Sequence, residues 1–106
     1  MEECIFCKII NKEIPCTKIY EDEQFIAFHD IHPKAKVHVL VVPKDHVASL
    51  NDLQSQHQQM MGQLMLLLPV IAGQLGLNTG FRTVINTGKD GGQEVPHLHV
   101  HILGGR

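Results

Sequence analysis

The 106-residue sequence contains no tryptophan, one tyrosine and only a small excess of acidic over basic residues. A formal net charge of −2 offers no broad basic surface for a polyanion, so a nucleic-acid partner is not expected. The 3 cysteines cannot all pair within one chain, which favours free thiols or metal ligands over a disulfide framework. The longest apolar run, at 64–72, contains Pro69 and is too short to cross a bilayer.

The N-terminal residues Met1, Glu2 and Glu3 also lack the basic and apolar segments of a secretory signal peptide. Together with the missing membrane span, this predicts a soluble, cytoplasmic protein that has no membrane partner. The length predicts one domain over residues 1–106, large enough for a single hydrophobic core.

The periodicity of apolar residues predicts an α+β domain built on a five-stranded antiparallel sheet, because the strands do not alternate regularly with helices. Strands are predicted at 18–21, 24–30, 37–42, 81–87 and 97–103, and a short helix at 5–11. A long helix should begin at Ser55, which with Gln58 resembles a capping box, and should end near Gly76. Pro69 removes one hydrogen bond of this helix, which predicts a kink or a break.

Three histidines alternate with apolar residues at 97–101, after a glycine-rich stretch at 88–92. Successive side chains of a strand point to opposite faces. The pattern therefore predicts that Leu98, Val100 and Ile102 pack into a core, while the imidazole rings form a row on the other face. These rings belong to His97, His99 and His101. A plain polar outer face is the alternative, but adjacent rings that each carry two nitrogens are typical of a working site.

The histidine row fits nucleophilic catalysis at phosphorus, which needs a neutral imidazole and a nearby acid for the leaving group. His99 is the central ring and the candidate nucleophile, and His101 is close enough to donate a proton. Gly91 and Gly92 in the preceding loop permit a backbone cradle for an anion, and the Asn86 amide could donate to the same phosphate. The alternatives are a simple strand connection and an asparagine that bonds its own backbone.

Phe28 and Asp30 share one face of a predicted strand. This pairing suits a nucleoside, with the aromatic ring against the base and the carboxylate accepting from ribose hydroxyls. A core phenylalanine followed by a turn aspartate is the alternative. His38 alternates with valines, and a histidine in such a strand is more often a satisfied core residue than a catalyst.

Cys4 and Cys7 form a C-x-x-C pair without the preceding strand of a thioredoxin-type redox motif. Tetrahedral zinc would need two further ligands, and His46 and His97 are the candidates, although the spacing is not that of a standard zinc finger. Cys16 is interpreted as a bystander.

The segment from His97 to Ile102, preceded by 91–95, resembles the signature of the histidine triad (HIT) superfamily, and the resemblance covers essentially the whole chain. The segments at 5–10, 27–31, 41–44 and 103–106 resemble the histidine triad nucleotide-binding (HINT) branch in its bacterial form. The resemblance implies a HIT-like fold with one long and one short helix, and a homodimer in which the two sheets join. It also implies hydrolysis of purine nucleoside 5′-phosphoramidates, such as adenosine 5′-monophosphoramidate, through a nucleotidyl-histidine intermediate.

Residue roles follow from the resemblance position by position. His99 resembles the nucleophile, His101 the residue that contacts phosphate and assists the leaving amine, and His38 a histidine that tunes their protonation. The nucleotide-binding positions of the family match Phe6, Ile9, Phe28, His29, Asp30, Ile31, Asn86, Gly92, Glu94, His99 and His101. Among them, Asp30 matches the ribose-binding carboxylate. Members with this C-x-x-C pair often hold a structural zinc ion, whose ligands match Cys4, Cys7, His46 and His97.

The sequence also departs from the family pattern. Glu94 stands where animal members usually have serine, and Pro96 stands where an aromatic residue is common. The sequence stops at Arg106, so the C-terminal tail that shapes the family's substrate cleft is either missing or not included, and the leaving group is what the sequence determines least. Two other functions stay open: dinucleoside polyphosphate hydrolysis, as in the Fhit branch, and zinc-stabilised nucleotide binding with little turnover. The Fhit branch generally has glutamine where this chain has His101, which favours phosphoramidate hydrolysis.

Overall fold

The structure is a computed structural model and describes residues 4–105. Within this range, five antiparallel strands form one sheet in the order β1-β2-β3-β5-β4. The strands are β1 Lys18–Glu21, β2 Phe25–His29, β3 Val37–Pro43, β4 Arg82–Val84 and β5 Val100–Gly104. A short helix, α1 Ile5–Ile10, and a long helix, α2 Gln58–Gln74, complete the fold. The predicted α+β class with one short and one long helix is confirmed.

The last two strands are shorter than predicted, and the start of β5 has a clear physical cause. Pairing begins at Val100, whereas the sequence predicted a strand from residue 97. Ahead of this point the backbone bonds to loops, since the His97 amide donates to the Val95 carbonyl at 2.8 Å and the Leu98 amide to the Val47 carbonyl at 2.7 Å. β4 is likewise limited to Arg82–Val84 instead of 81–87.

The long helix differs from expectation at its start and at Pro69. The predicted capping box of Ser55 and Gln58 is wrong. The box forms one residue earlier, between Gln54 and His57, where the Gln54 backbone amide donates to Nδ1 of the His57 side chain at 2.9 Å. α2 continues through Pro69, so the helix is not broken there. Its predicted end is confirmed by Gly76, which follows the C-cap residue with a φ of 79°. None of the helices within 4–105 has the length and apolar character needed to span a membrane.

Both faces of the sheet are covered, which explains why β3 is apolar on both faces from Val39 to Pro43. On one face, Val39 and Val41 pack with Leu64 and Ile71 of α2. On the other face, the alternate residues of β2 and β3 pack against α1. This second cluster contains Cys4, Phe6, Ile9, Ile26, Phe28, Leu40 and Val42. His101 pairs directly with Leu40 across β3 and β5, so the histidine row lies on the α1 face of the sheet.

Candidate active site and metal site

A cavity of about 370 Å³ opens on the α1 face, between α1, the end of β2 and the loop that precedes β5. All the positions that the resemblance assigned to nucleotide binding line it: Phe6, Ile9, Phe28, His29, Asp30, Ile31, Asn86, Gly92, Glu94, His99 and His101. The fold thus brings together residues that are far apart in the chain. Lys34 and Cys16 also line the cavity; Lys34 was not singled out from the sequence, and Cys16 was interpreted as a bystander.

His99 is held so that one ring nitrogen stays unprotonated. Its Nδ1 lies 2.7 Å from the His97 carbonyl oxygen and must donate to it, which leaves Nε2 with a free lone pair. Phe6 packs edge-on against the ring, with centroids 5.0 Å apart. Burial lowers the pKa of His99 below its usual range, so the neutral form dominates near neutral pH. A neutral imidazole with a free Nε2 is the form that can attack phosphorus.

His101 carries the opposite tautomer, set by a chain of hydrogen bonds that begins in the backbone. The Lys34 amide donates to Nδ1 of His38 at 3.0 Å, so the proton of His38 resides on Nε2. That Nε2–H donates to Nδ1 of His101 at 2.9 Å, which places the proton of His101 on its own Nε2. Burial, followed by the neighbouring His99 and His38, lowers the pKa of His101 to about 4. His101 is therefore a neutral hydrogen-bond donor beside His99.

Asp30 combines the two roles that the sequence left open. Its Oδ1 accepts from the His32 amide at 2.8 Å, as in an aspartate-stabilised turn, while the residue also lines the cavity. Its Oδ2 lies 3.4 Å from Nε2 of His38. The ligand atoms of Asp30, His38 and His101 lie within 4.8 Å of one another. They do not suit a metal ion, because the Lys34 amide keeps the His38 proton on the nitrogen that would have to bind it.

Gln93 fixes the loop before the histidines, and sequence analysis did not single it out. Its Oε1 accepts from the Gly88 amide at 2.9 Å, and its Nε2 donates to the carbonyls of Ala48 at 2.6 Å and Val95 at 2.9 Å. A single glutamine in a glycine-rich loop gives no periodic signal, so only the folded backbone reveals this role. These hydrogen bonds fix the loop on both sides of Gly92, which lines the cavity.

Two glycines of this loop have a positive φ, Gly88 at 71° and Gly92 at 79°. The sequence predicted a need for glycine at both Gly91 and Gly92, but Gly91 does not have a positive φ and does not require this conformational freedom. Asn86 donates from Nδ2 to the Gly91 carbonyl at 2.8 Å, which supports the loop. Its amide has a second N–H and the residue lines the cavity, so it can still contact an anion.

Cys4, Cys7, His46 and His97 form a separate cluster, with ligand atoms within 4.8 Å of one another. Nδ1 of His97 lies 3.3 Å from Sγ of Cys4 and 3.6 Å from Sγ of Cys7. Nε2 of the same ring donates to the Pro43 carbonyl at 2.7 Å, which leaves the Nδ1 lone pair directed at the thiols. His97 is therefore oriented as a metal ligand and is fully buried.

The donor set fits zinc. Two sulfurs and two imidazole nitrogens match its preference for four tetrahedral ligands, and such a closed set leaves no position for a catalytic water. Burial and the adjacent Cys4 raise the pKa of Cys7 to about 11, and a bound divalent cation would reverse this shift by favouring thiolate. The cluster joins α1 to the segment that carries the catalytic candidates.

The comparison with known proteins agrees with this geometry. A family model described as HIT domain matches residues 11–106. The chain is 43% identical over 106 residues to a purine nucleoside phosphoramidase of Escherichia coli (strain K12), across 99% of this chain and 89% of that protein. It is 49% identical over 104 residues to a 14 kDa zinc-binding protein of Zea mays, across 96% and 81% of the two chains.

A HIT family hydrolase of Legionella pneumophila Philadelphia 1, known from a crystal structure, has the same fold. It is 42% identical, with a TM-score of 0.95 over 98% of this chain and 94% of that one. Sequence and fold therefore agree over nearly the entire described range, and the chain belongs to the HIT domain family.

Proposed function

We propose that the protein hydrolyses purine nucleoside 5′-phosphoramidates, such as adenosine 5′-monophosphoramidate, through a nucleotidyl intermediate on His99. The observation that carries this proposal is the pair of complementary tautomers. His99 has a free Nε2 and His101 an Nε2–H, and their ring centroids are 5.0 Å apart beside one cavity. The purine nucleoside phosphoramidase of Escherichia coli, a relative at 43% identity, supports the choice of substrate.

The reaction proceeds in two displacements. In the first, Nε2 of His99 forms a bond to phosphorus while the P–N bond breaks and the amine leaves. His101 donates a hydrogen bond from Nε2 to the phosphate or to the departing nitrogen. In the second, water attacks phosphorus and releases His99 together with the nucleoside monophosphate. The leaving amine takes up one proton from solvent and the attacking water releases one to solvent, so neither histidine gains or loses a proton overall and both keep their starting tautomers.

The base and the ribose occupy the other wall of the cavity. Phe6 and Phe28, whose ring centroids are 5.7 Å apart, supply an apolar surface for the base. Asp30 stands beside them as the ribose acceptor. The amides of the loop around Gly92 and the free N–H of Asn86 lie towards the phosphate. His38 does not line the cavity and acts as a positioning residue, because it fixes the tautomer of His101.

The test of this function is the release of AMP from two substrates measured side by side. Adenosine 5′-monophosphoramidate should be hydrolysed with a higher kcat/KM than a diadenosine polyphosphate. Faster cleavage of the dinucleotide would favour dinucleoside polyphosphate hydrolysis as the function. Binding of AMP without turnover of either substrate would favour a nucleotide-binding protein.

Asp30→Asn should weaken AMP binding by roughly 1–3 kcal/mol, because the ribose hydroxyls lose a charged acceptor. Calorimetric titration with AMP measures this change. The 2′,3′-dideoxy analogue of AMP is the matched control, since it lacks the hydroxyls and should lose much less affinity. An equal loss for both ligands would mean that Asp30 acts through His38, to which it lies close, and that the ribose binds elsewhere.

We also propose that the chain forms a homodimer through β4 and α2. β4 is the last strand of the sheet, and an exposed edge is normally paired or protected. α2 also exposes the apolar side chains of Met65, Leu66 and Val70, with Leu66 at 74% of its full exposure. Multi-angle light scattering at micromolar concentration should give about twice the chain mass. A monomer whose mass does not change with concentration would contradict this assembly.

A further inference from the structure

Glu94 stands at the rim of the cavity with an unneutralised charge. It lines the same cavity as His99 and His101, and its side chain is exposed. The ion pairs found within residues 4–105 involve Glu21 and Asp30 and leave Glu94 without a cationic partner. A carboxylate beside a site for a negatively charged phosphate is unfavourable for binding unless another part of the substrate compensates for it.

The backbone on both sides of Glu94 is held by hydrogen bonds and packing, so the attachment point of this charge at the cavity is well defined. Gln93 is held by three hydrogen bonds to Gly88, Ala48 and Val95. Val95 packs against the apolar cluster under α1 and accepts from the His97 amide at 2.8 Å. The backbone that carries Glu94 is therefore held at the rim of the cavity.

Glu94 belongs to a different part of the cavity lining from the residues assigned to the nucleoside. The base and ribose positions are on α1 and at the end of β2, whereas Glu94 belongs to the loop that precedes β5. In an in-line displacement the leaving group departs on the side of phosphorus opposite the attacking nitrogen. Since the nucleoside is assigned to α1 and the end of β2, the part of the cavity lined by the loop before β5 is left for the amine.

We propose that Glu94 selects the leaving group by charge, so that amides of cationic amines react faster than amides of anionic ones. This inference rests on the proposed function, because it concerns the amine released from the same phosphorus. A second positive charge on the amine is attracted by the carboxylate, while a carboxylate or phosphate on the leaving group is repelled. The preferred substrates are nucleoside 5′-phosphoramidates of diamines and other amines with a positive side group.

Three adenosine 5′-phosphoramidates of matched chain length test this inference. Their amines end in an ammonium, a methyl or a carboxylate group. For the wild type, kcat/KM should fall in that order, with roughly a ten-fold ratio between the cationic and anionic amides. Glu94→Gln should bring this ratio close to unity. High salt should reduce the wild-type ratio, because the charges are partly exposed to solvent.

Asp90→Asn is the matched control, since Asp90 is an exposed acid of the same loop that does not line the cavity. It should keep the wild-type ratio. Equal rates of the wild type on all three amides, or an unchanged ratio in Glu94→Gln, would overturn the role of Glu94. No hydrolysis of any amide would instead overturn the proposed function, so the two failures are distinguishable.

Discussion

His99→Ala is expected to lose turnover by several orders of magnitude while it still binds AMP. The variant removes the one ring whose free Nε2 is available for attack, and loss of a covalent nucleophile has effects of this size. The base and ribose contacts are assigned to other residues, Phe6, Phe28 and Asp30, and should persist. Single-turnover kinetics with adenosine 5′-monophosphoramidate and calorimetric titration with AMP measure the two effects separately.

His32→Ala is a suitable control for this experiment. His32 is exposed and does not line the cavity, and its contact with Asp30 is made by its backbone amide. It should retain wild-type kinetics. Activity of His99→Ala close to that of the wild type would remove His99 from the mechanism.

The second large effect concerns the metal site. Protein purified without added metal should contain about one zinc ion per chain, and the double variant Cys4→Ser/Cys7→Ser should contain none. Losing the ion should lower the melting temperature by about 10 °C or more, because metal binding stabilises only the folded chain. Elemental analysis and thermal unfolding measure the two quantities. Activity should also fall, since the cluster anchors Phe6 and this ring packs against His99.

Cys16→Ser is the matched control for the thiol substitutions. Cys16 lines the nucleotide cavity but is outside the Cys/His cluster, so zinc content and melting temperature should stay at their wild-type values. If the wild type holds no metal and the double variant has the same melting temperature as the wild type, the two cysteines have no structural role. His97 would then be a buried ring held by the Pro43 carbonyl alone.

The sequence predicted the residues that meet at the site better than the backbone that supports them. As the alternation at 97–102 predicted, Val100 and Ile102 belong to the core against α2, whereas His101 pairs with Leu40 on the other face, because side-chain direction depends only on local extension. Leu98 is buried too, but so are His97 and His99, so burial alone does not separate the two sets. The alternation could not show that pairing starts at Val100. That boundary depends on the carbonyl of Val47, which lies far away in the chain.

The tautomers of the histidines could not be predicted from sequence patterns either. The tautomers of His38 and His101 depend on the Lys34 amide, a backbone group of a loop without any motif. The role of Gln93 likewise arises from three backbone groups that come together only in the fold. Sequence patterns identify chemical groups, whereas these functions depend on which partner each nitrogen meets.

The stereochemical course at phosphorus tests the covalent mechanism most directly. An adenosine 5′-phosphorothioamidate of single configuration would be hydrolysed in heavy-oxygen water, and the configuration of the product determined. Two successive in-line displacements, first by His99 and then by water, each invert phosphorus, so we expect overall retention. Overall inversion would mean that water attacks the substrate directly, and that His99 is not the nucleophile.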